Sequence, residues 1–374
     1  MTGRIKARAG ALAAALGLAT LPTTEKQAKR TPALAAVRLA GNGDGACIVT
    51  ITGPVGTIST SIEAEAEGEM ALPCERLADL ADAFSADAEL AITADDNTAA
   101  VSSGKSHFKI PTFPIGDLPA RHVLGKETGR VVLDTRIARD IFSRVAFAAS
   151  TEATRFNLNG VFLHSAEGEL AAVATDGYRL ACATAATSSA LSTLSTDRGL
   201  IVPREMLKPI KNLLGKASGN VVLRRSDRLF AIEGARFAIV TRLIDSTYPH
   251  FERVIPPENP NTATTSRARL TESLARFAAV ADPQNTAHAV SLRWNADGLT
   301  LAAADGSTDG LAADVEGEAE TTIQTRYIAE LIEAMRGDGI TIATGKPGGP
   351  VIFTDPDDAN FLALQMPLTQ PRPS

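Results

Sequence analysis

A strand that runs straight into a helix occurs three times in this chain, and that recurrence limits its architecture more than any other feature. The first copy is Met70-Ala71-Leu72-Pro73-Cys74-Glu75-Arg76-Leu77-Ala78-Asp79-Leu80, and the second is Leu200-Ile201-Val202-Pro203-Arg204-Glu205-Met206-Leu207-Lys208-Pro209-Ile210. The third is Thr321-Thr322-Ile323-Gln324-Thr325-Arg326-Tyr327-Ile328-Ala329-Glu330-Leu331. In each, apolar residues three apart (Leu77 and Leu80, Leu207 and Ile210, Ile328 and Leu331) mark one face of a helix. Two copies place Pro at the junction, where a missing N–H is tolerated. The copies lie roughly 120 to 130 residues apart, too far for a solenoid and right for a repeated domain.

The surroundings of each copy repeat as well. Three short strands are predicted after the first copy at 88–92, 97–102 and 106–110, after the second at 220–224, 228–233 and 236–242, and after the third at 339–343, 350–353 and 361–366. Polar turns such as Asp95-Asp96-Asn97, Ser226-Asp227 and Gly348-Gly349 separate them. A further helix is predicted before each copy, over 3–18, 135–149 and 270–281, with Thr135 and Thr271 as candidate N-caps. Pro-rich joints at 111–119 and 255–260 suggest boundaries that divide the chain into 1–122, 123–256 and 257–374. The expected fold class is α+β: three tandem domains, each with two helices on antiparallel sheets.

Charge narrows the function. The net charge is −6, which alone argues against nucleic-acid binding but leaves room for a local basic stripe. Basic residues gather on or beside predicted helices: Arg4, Lys6 and Arg8; Arg136, Arg139 and Arg144; Arg204, Lys208, Lys211 and Lys216; Arg267, Arg269 and Arg276. Helices sharing one side would make that side positive, a surface suited to phosphates without reading sequence. The first basic group precedes an alanine-rich run, which reads either as a secretory signal or as an amphipathic helix. Cys47, Cys74 and Cys182 stand far apart and the five His are scattered, so neither a metal site nor a disulfide framework is expected. No catalytic constellation emerges: Thr-Asp-Gly at 175–177 and Asp-Gly-Ser at 305–307 lack the order of an aspartic protease pair.

Two loops invite contact. Val173-Ala174-Thr175-Asp176-Gly177-Tyr178-Arg179-Leu180-Ala181 reads as a hairpin whose Tyr178 and Arg179 follow the turn. Ser150 to Asn157 sets Arg155 beside Phe156, a pair able to meet a phosphate and stack on a base.

Asn157-Leu158-Asn159-Gly160-Val161-Phe162-Leu163, the 173–181 hairpin, Ile201-Val202-Pro203-Arg204, Tyr248-Pro249-His250-Phe251-Glu252-Arg253-Val254 and Leu364-Gln365-Met366-Pro367-Leu368 occur in an order that resembles the bacterial replicative sliding clamp, the beta subunit of DNA polymerase III. Ser103 to Phe108 and Pro111 to Pro114 resemble that family's first domain. The resemblance implies three DNA-clamp domains, a head-to-tail homodimeric ring with helices lining its hole, no catalysis, no cofactor and a place in the cytoplasm away from membranes. Its implied partners are double-stranded DNA, a second copy of the chain, the polymerase III alpha subunit, the clamp loader and other proteins with a clamp-binding peptide. Lys29 and Arg30 join Arg155, Phe156, Arg204 and Lys208 as candidate DNA contacts. The peptide pocket carried over comprises Leu158, Thr175, Gly177, Tyr178, Arg179, Leu180, Pro249, Arg253, Val254, Pro350, Leu364, Met366, Pro367 and Leu368. Phe108 and Ile110 would meet Ala279 and Val280 across the dimer interface. Tyr178 stands where the family often has His, and Gln365 where an apolar residue is common.

Overall fold

The computed structural model describes residues 3–18, 30–166, 168–186, 199–281 and 289–368. The first third runs β1 (Gly3–Arg8), α1 (Ala9–Leu18), β2 (Ala36–Gly41), β3 (Ala46–Thr52), β4 (Gly56–Glu67), β5 (Glu69–Pro73), α2 (Cys74–Asp82), β6 (Glu89–Ala94), β7 (Thr98–Ser103) and β8 (Ser106–Pro111). The second runs β9 (Gly129–Asp134), α3 (Thr135–Val145), β10 (Gly160–Ala166), β11 (Glu169–Thr175), β12 (Arg179–Ala185), β13 (Leu200–Pro203), α4 (Leu207–Lys216), β14 (Asn220–Arg225), β15 (Leu229–Glu233) and β16 (Phe237–Arg242). The third runs β17 (Asn261–Ser266), α5 (Arg267–Val280), β18 (Ala289–Asn295), β19 (Gly298–Ala302), β20 (Thr308–Leu311), β21 (Ala313–Glu316), β22 (Ala319–Gln324), α6 (Thr325–Glu333), β23 (Gly339–Thr344), β24 (Val351–Asp355) and β25 (Asp358–Gln365). All three strand-to-helix copies and all three strand triplets form as their polarity patterns predict.

Two expectations are corrected. Residues 3–8 form a strand, not the start of a helix: Ile5 and Ala7 are buried while Arg4 and Arg8 are exposed, the two-residue period of a half-buried strand. Lys6 pairs with Glu89 at 3.0 Å and Arg8 with Asp87 at 3.0 Å, so two of these three cations are ion-paired and the group lies on a sheet rather than on a helix. The alanine-rich run that follows is α1, which buries Leu12 and Leu16. The caps also differ. Asp134 Oδ1 accepts from the Arg136 N–H at 2.8 Å, whereas the Thr135 hydroxyl donates to the Gly219 carbonyl at 2.7 Å. Helix α5 starts three residues earlier than expected and is capped by Ser266, whose Oγ accepts from Arg269 N–H at 3.4 Å.

The described residues make two compact units, one from within 3–139 and 202–245 and the other from within 140–186, 199–201 and 246–368. In the first unit, one sheet runs β8-β7-β6-β1-β4-β16-β15-β14-β9, with β3 also on β4 and β2 joining β3 to β5. Helices α1 and α2 pack on each other there, burying Leu12, Leu16, Leu77 and Ala81, and α4 buries Ile210, Leu213 and Leu214. Each such Leu or Ile contributes about 1.5–3 kcal/mol relative to exposure. In the second unit, a sheet runs β13-β10-β11-β12-β25-β24-β23-β17-β21, and a four-stranded sheet runs β20-β19-β18-β22. The middle third therefore does not stand alone. Its β16 continues the sheet of the first third, Ile239 opposite Ile58, and its β12 continues that of the last, Leu180 opposite Leu364.

Candidate partner-docking pocket

Strand register collects the hairpin and the chain end on one sheet face. Thr175 on β11 lies opposite Leu180 on β12, and Leu180 lies opposite Leu364 on β25, so the three side chains share a face. Leu180 and Leu364 are 1% and 2% exposed and form an apolar floor. Tyr178 and Met366, each two residues further along, stand exposed at its edge, and Met366 N–H donates to the Tyr178 carbonyl at 2.7 Å. An exposed tyrosine beside an exposed methionine over a leucine floor suits apolar side chains of a partner, because the thioether adapts its shape and the phenol keeps one polar edge.

The turn that presents Tyr178 is fixed by its own side chains. Asp176 Oδ1 accepts from the N–H groups of Tyr178 and Arg179 at 2.9 and 3.0 Å. The Thr175 hydroxyl donates to the Arg179 carbonyl at 2.6 Å and accepts from Gly177 N–H at 3.1 Å. Gly177 has φ +90°, and a Cβ there would sit 2.6 Å from Arg155 Nη1. The positive φ demands glycine, and any Cβ would also push the Arg155 guanidinium aside.

Arg155 belongs to this turn. Its Nη1 donates to the Asp176 carbonyl at 3.1 Å, and its guanidinium carbon lies 5.8 Å from the Tyr178 ring centre. It sits on a short 3-10 turn, Ala153–Leu158, where Phe156 is exposed and Leu158 buried. Aromatic packing covers the neighbouring part of the same sheet face. Phe162 lies opposite Val173, stacks on Tyr248 at 4.6 Å and meets Phe251 edge-on at 6.5 Å, while His164 lies 5.5 Å from Phe251. Burial raises the Tyr248 hydroxyl pKa and lowers that of His164. Pro249 follows Tyr248 and is exposed, as are Arg253 and Val254 on the Phe251–Val254 turn. Pro350 is half-buried next to Val351, which lies opposite Gln365. Pro367 and Leu368 are half-buried, and Leu368 N–H donates to the Thr322 carbonyl at 2.8 Å.

Arg179 alternates to the other face. It is 8% exposed, lies opposite the buried Gln365, and its guanidinium is 4.2 Å from the Tyr327 ring on α6. Glu330, Phe147 and Tyr327 around it carry no motif, so nothing in the sequence pointed to them. Phe162, Tyr248 and Phe251 had only their aromatic character as a signal.

The remaining candidates lie elsewhere. Arg204 and Lys208 are exposed at the start of α4, with Lys211 and Lys216 exposed further along. Other helix-borne arginines are engaged: Arg144 is buried on Asp358 at 2.6 Å, Arg276 reaches Asp309 at 2.5 Å, and Arg267 donates to the Gly337 carbonyl at 2.6 Å. Arg136 and Arg269 pair with Asp134 and Glu272 at 3.2 and 3.4 Å but stay exposed, so among the described residues the basic stripe loses Arg144 and Arg267 and keeps its densest part at Arg204 and α4. Arg30 is exposed, and Lys29 lies outside the described residues. Phe108 is exposed on β8, an edge strand, against Phe84 at 6.0 Å, whereas Ile110 is buried. Ala279 and Val280 are exposed at the end of α5. Among the described residues no three His, Cys, Asp or Glu are grouped for a metal, and no helix is long and apolar enough to cross a membrane. Cys47, Cys74 and Cys182 are free, each thiol pushed up to about 11 chiefly by burial.

Comparison with known proteins gives a consistent result along the chain. Family models of the DNA polymerase III beta subunit match residues 24–124 as its N-terminal domain, 132–250 as its central domain and 252–369 as its C-terminal domain. A beta sliding clamp of Caulobacter vibrioides is 28% identical over 292 residues, 76% of this chain and 77% of the relative. One of Pseudomonas putida is 24% identical over 321 residues, 84% and 86% of the two chains. A crystal structure of the Bartonella birtlesii sliding clamp bound to griselimycin has 23% identity and a TM-score of 0.88, covering 99% of this chain and 100% of that one. The Thermotoga maritima beta subunit has 20% identity and a TM-score of 0.86 over 99% and 100%. With three consecutive domain matches in the family's own order, the chain belongs to the DNA polymerase III beta subunit family.

Proposed function

We propose that this chain is a DNA sliding clamp, a non-catalytic factor that keeps a replicative polymerase on its template by enclosing duplex DNA. The succession of all three beta-subunit domains along one chain carries the reading. On it, the domains are 1–122, 123–256 and 257–374, and two copies close head to tail into a ring in the cytoplasm. Such closure needs two unlike surfaces on each copy. Phe108 on the exposed edge β8 supplies one, with Ile110 beneath it, and Ala279 and Val280 supply the other. Arg204, Lys208, Arg30 and Lys29 contact phosphates without reading bases, and Arg155 and Phe156 are further DNA contacts.

The pocket around Leu180, Leu364, Tyr178 and Met366 takes a short extended peptide of the polymerase, the clamp loader or repair proteins through apolar anchors. Leu158, Thr175, Gly177, Arg179, Pro249, Arg253, Val254, Pro350, Pro367 and Leu368 complete or support it. Griselimycin, bound by similar clamps, is the probe: calorimetry should give one site per chain, lost in Met366→Asp. With a clamp loader and polymerase III alpha subunit on a primed circle, the chain should lengthen the product made per binding event, and griselimycin should reverse this. Product length that does not depend on the chain would refute the assignment.

A further inference from the structure

Three elements meet on the guanidinium of Arg179. Its Nε donates to Asp176 Oδ2 at 3.1 Å, in the turn that carries Tyr178. Its Nη2 donates at 2.6 Å to the carbonyl of Phe147, in the 3-10 turn after α3. Its Nη1 pairs with Glu330 on α6, and the plane lies 4.2 Å from the Tyr327 ring of the same helix. Glu330 also holds Arg326 at 3.2 Å.

The Asp176 carboxylate works on two sides at once. One oxygen receives the Tyr178 and Arg179 amides and so sets the turn; the other receives the Arg179 guanidinium. The turn therefore moves with the guanidinium, and the guanidinium is held by α6. Strand alternation puts this cluster on the face opposite Leu180 and Leu364, away from any peptide on the floor.

Resting on the pocket reading above, we infer that Arg179 and Glu330 are positioning residues: they fix where Tyr178 stands over the Leu180 and Leu364 floor, and so place peptide affinity under the control of α6. Neither residue touches the ligand. A guanidinium whose three nitrogens each reach a different acceptor, two of them carboxylates, is stiff, because its planar donors are fixed relative to one another. Loss of Glu330 leaves Asp176 and the Phe147 carbonyl on the guanidinium but removes its charged tie to α6, so the turn carrying Tyr178 is held less firmly against that helix.

The test is calorimetric titration of the full chain with griselimycin for wild type, Glu330→Gln, Arg179→Met and the double variant, beside melting curves and dimer mass. Glu330→Gln should weaken binding about tenfold, the scale of one charge-assisted hydrogen bond. Arg179→Met should weaken it further, and the double variant should bind no worse than Arg179→Met alone, since Glu330 acts through Arg179. Arg179→Lys should recover part of the loss when Glu330 is present and none when it is Gln, a dependence that general destabilisation would not produce. Wild-type affinity in Glu330→Gln, or losses that multiply independently, would overturn the inference. If Arg179→Met does not fold, Glu330→Gln still decides, since its side chain is 30% exposed. Failure of the wild-type chain itself to bind would instead overturn the pocket reading, and this inference with it.

Discussion

The pair Arg144 and Asp358 ties α3 to β25 through a buried charge, and removing one partner should cost far more than removing both. The two side chains are 8% and 16% exposed and 2.6 Å apart. Arg144 Nε donates to the Ala334 carbonyl at 2.9 Å, and its guanidinium carbon lies 4.3 Å from the Phe361 ring centre. Its Nη2 is buried with no partner among the described residues. Burial lowers the Arg144 pKa, which means the charge is already held against a solvation penalty. Asp358→Asn keeps the acceptor that Asn360 N–H uses at 3.0 Å but removes the counter-charge. The buried guanidinium, left with only the more distant charges of Asp140 and Asp355, then costs up to about 3–5 kcal/mol. Arg144→Met costs less, because Asp358 is nearer to water. Arg144→Met with Asp358→Leu should return to within about 1 kcal/mol of wild type, since a packed apolar pair often replaces a buried ion pair without loss. Native-state hydrogen exchange of β12 and β25 amides reads this locally: Asp358→Asn should speed their slowest exchange by at least about a hundredfold, and the double variant should restore it. Equal, small and additive effects of the two single changes would refute the argument.

Three further outcomes are expected. Ending the chain after Gln365 keeps the β12–β25 ladder but removes Met366, Pro367 and Leu368, so griselimycin affinity should fall at least about a hundredfold, from about 1.5–3 kcal/mol per lost apolar side chain, with dimer mass by light scattering unchanged. Ending it after Leu364 would also delete Gln365, which is 1% exposed and opposite both Arg179 and Val351, and should destabilise the sheet. Arg204→Gln with Lys208→Gln should make the plot of log affinity for duplex DNA against log salt shallower by about 2, read by fluorescence anisotropy; an unchanged slope would exclude both as phosphate contacts. His164 should make stability fall with acid. Its folded pKa lies below the ordinary 6.5, so the stability linked to its neutral form is complete above that value and is lost as pH drops through the folded pKa. Chemical unfolding at pH 7 and 5 should show a smaller loss in His164→Phe than in wild type, with the remaining slope shared by His122, whose pKa is shifted the same way.

Local chemistry made much of this fold legible. Polar turns between β-branched runs mark the strand triplets, and apolar residues three and four apart mark the helices on which Leu77, Ile210 and Leu331 are buried. Asp176 and Gly177 announced the turn that presents Tyr178. Pairings between distant segments were not legible. Nothing in Phe237 to Arg242 says that it will add to β4, nor in Phe361 to Gln365 that it will add to β12, because strand partners are chosen by tertiary packing. The residues at 3–8 were misread because an alanine-rich helix follows them, although Ile5 and Ala7 alternate with Arg4, Lys6 and Arg8 as a strand requires. Arg144 was counted with the surface cations because composition cannot tell a solvated guanidinium from one facing a buried carboxylate. The resemblance to the clamp family places Arg179 with the pocket, and only strand alternation shows it turned towards α6.

Retention on DNA tests the central account most directly. The chain is loaded onto labelled closed circular DNA, the complex is isolated by gel filtration, and half of it is then cut once. Bound protein should stay on the intact circles through a salt wash and leave the linear molecules within the same interval, because only a threaded end releases an enclosed duplex. Equal loss from both forms, or equal retention on both, would contradict a sliding clamp.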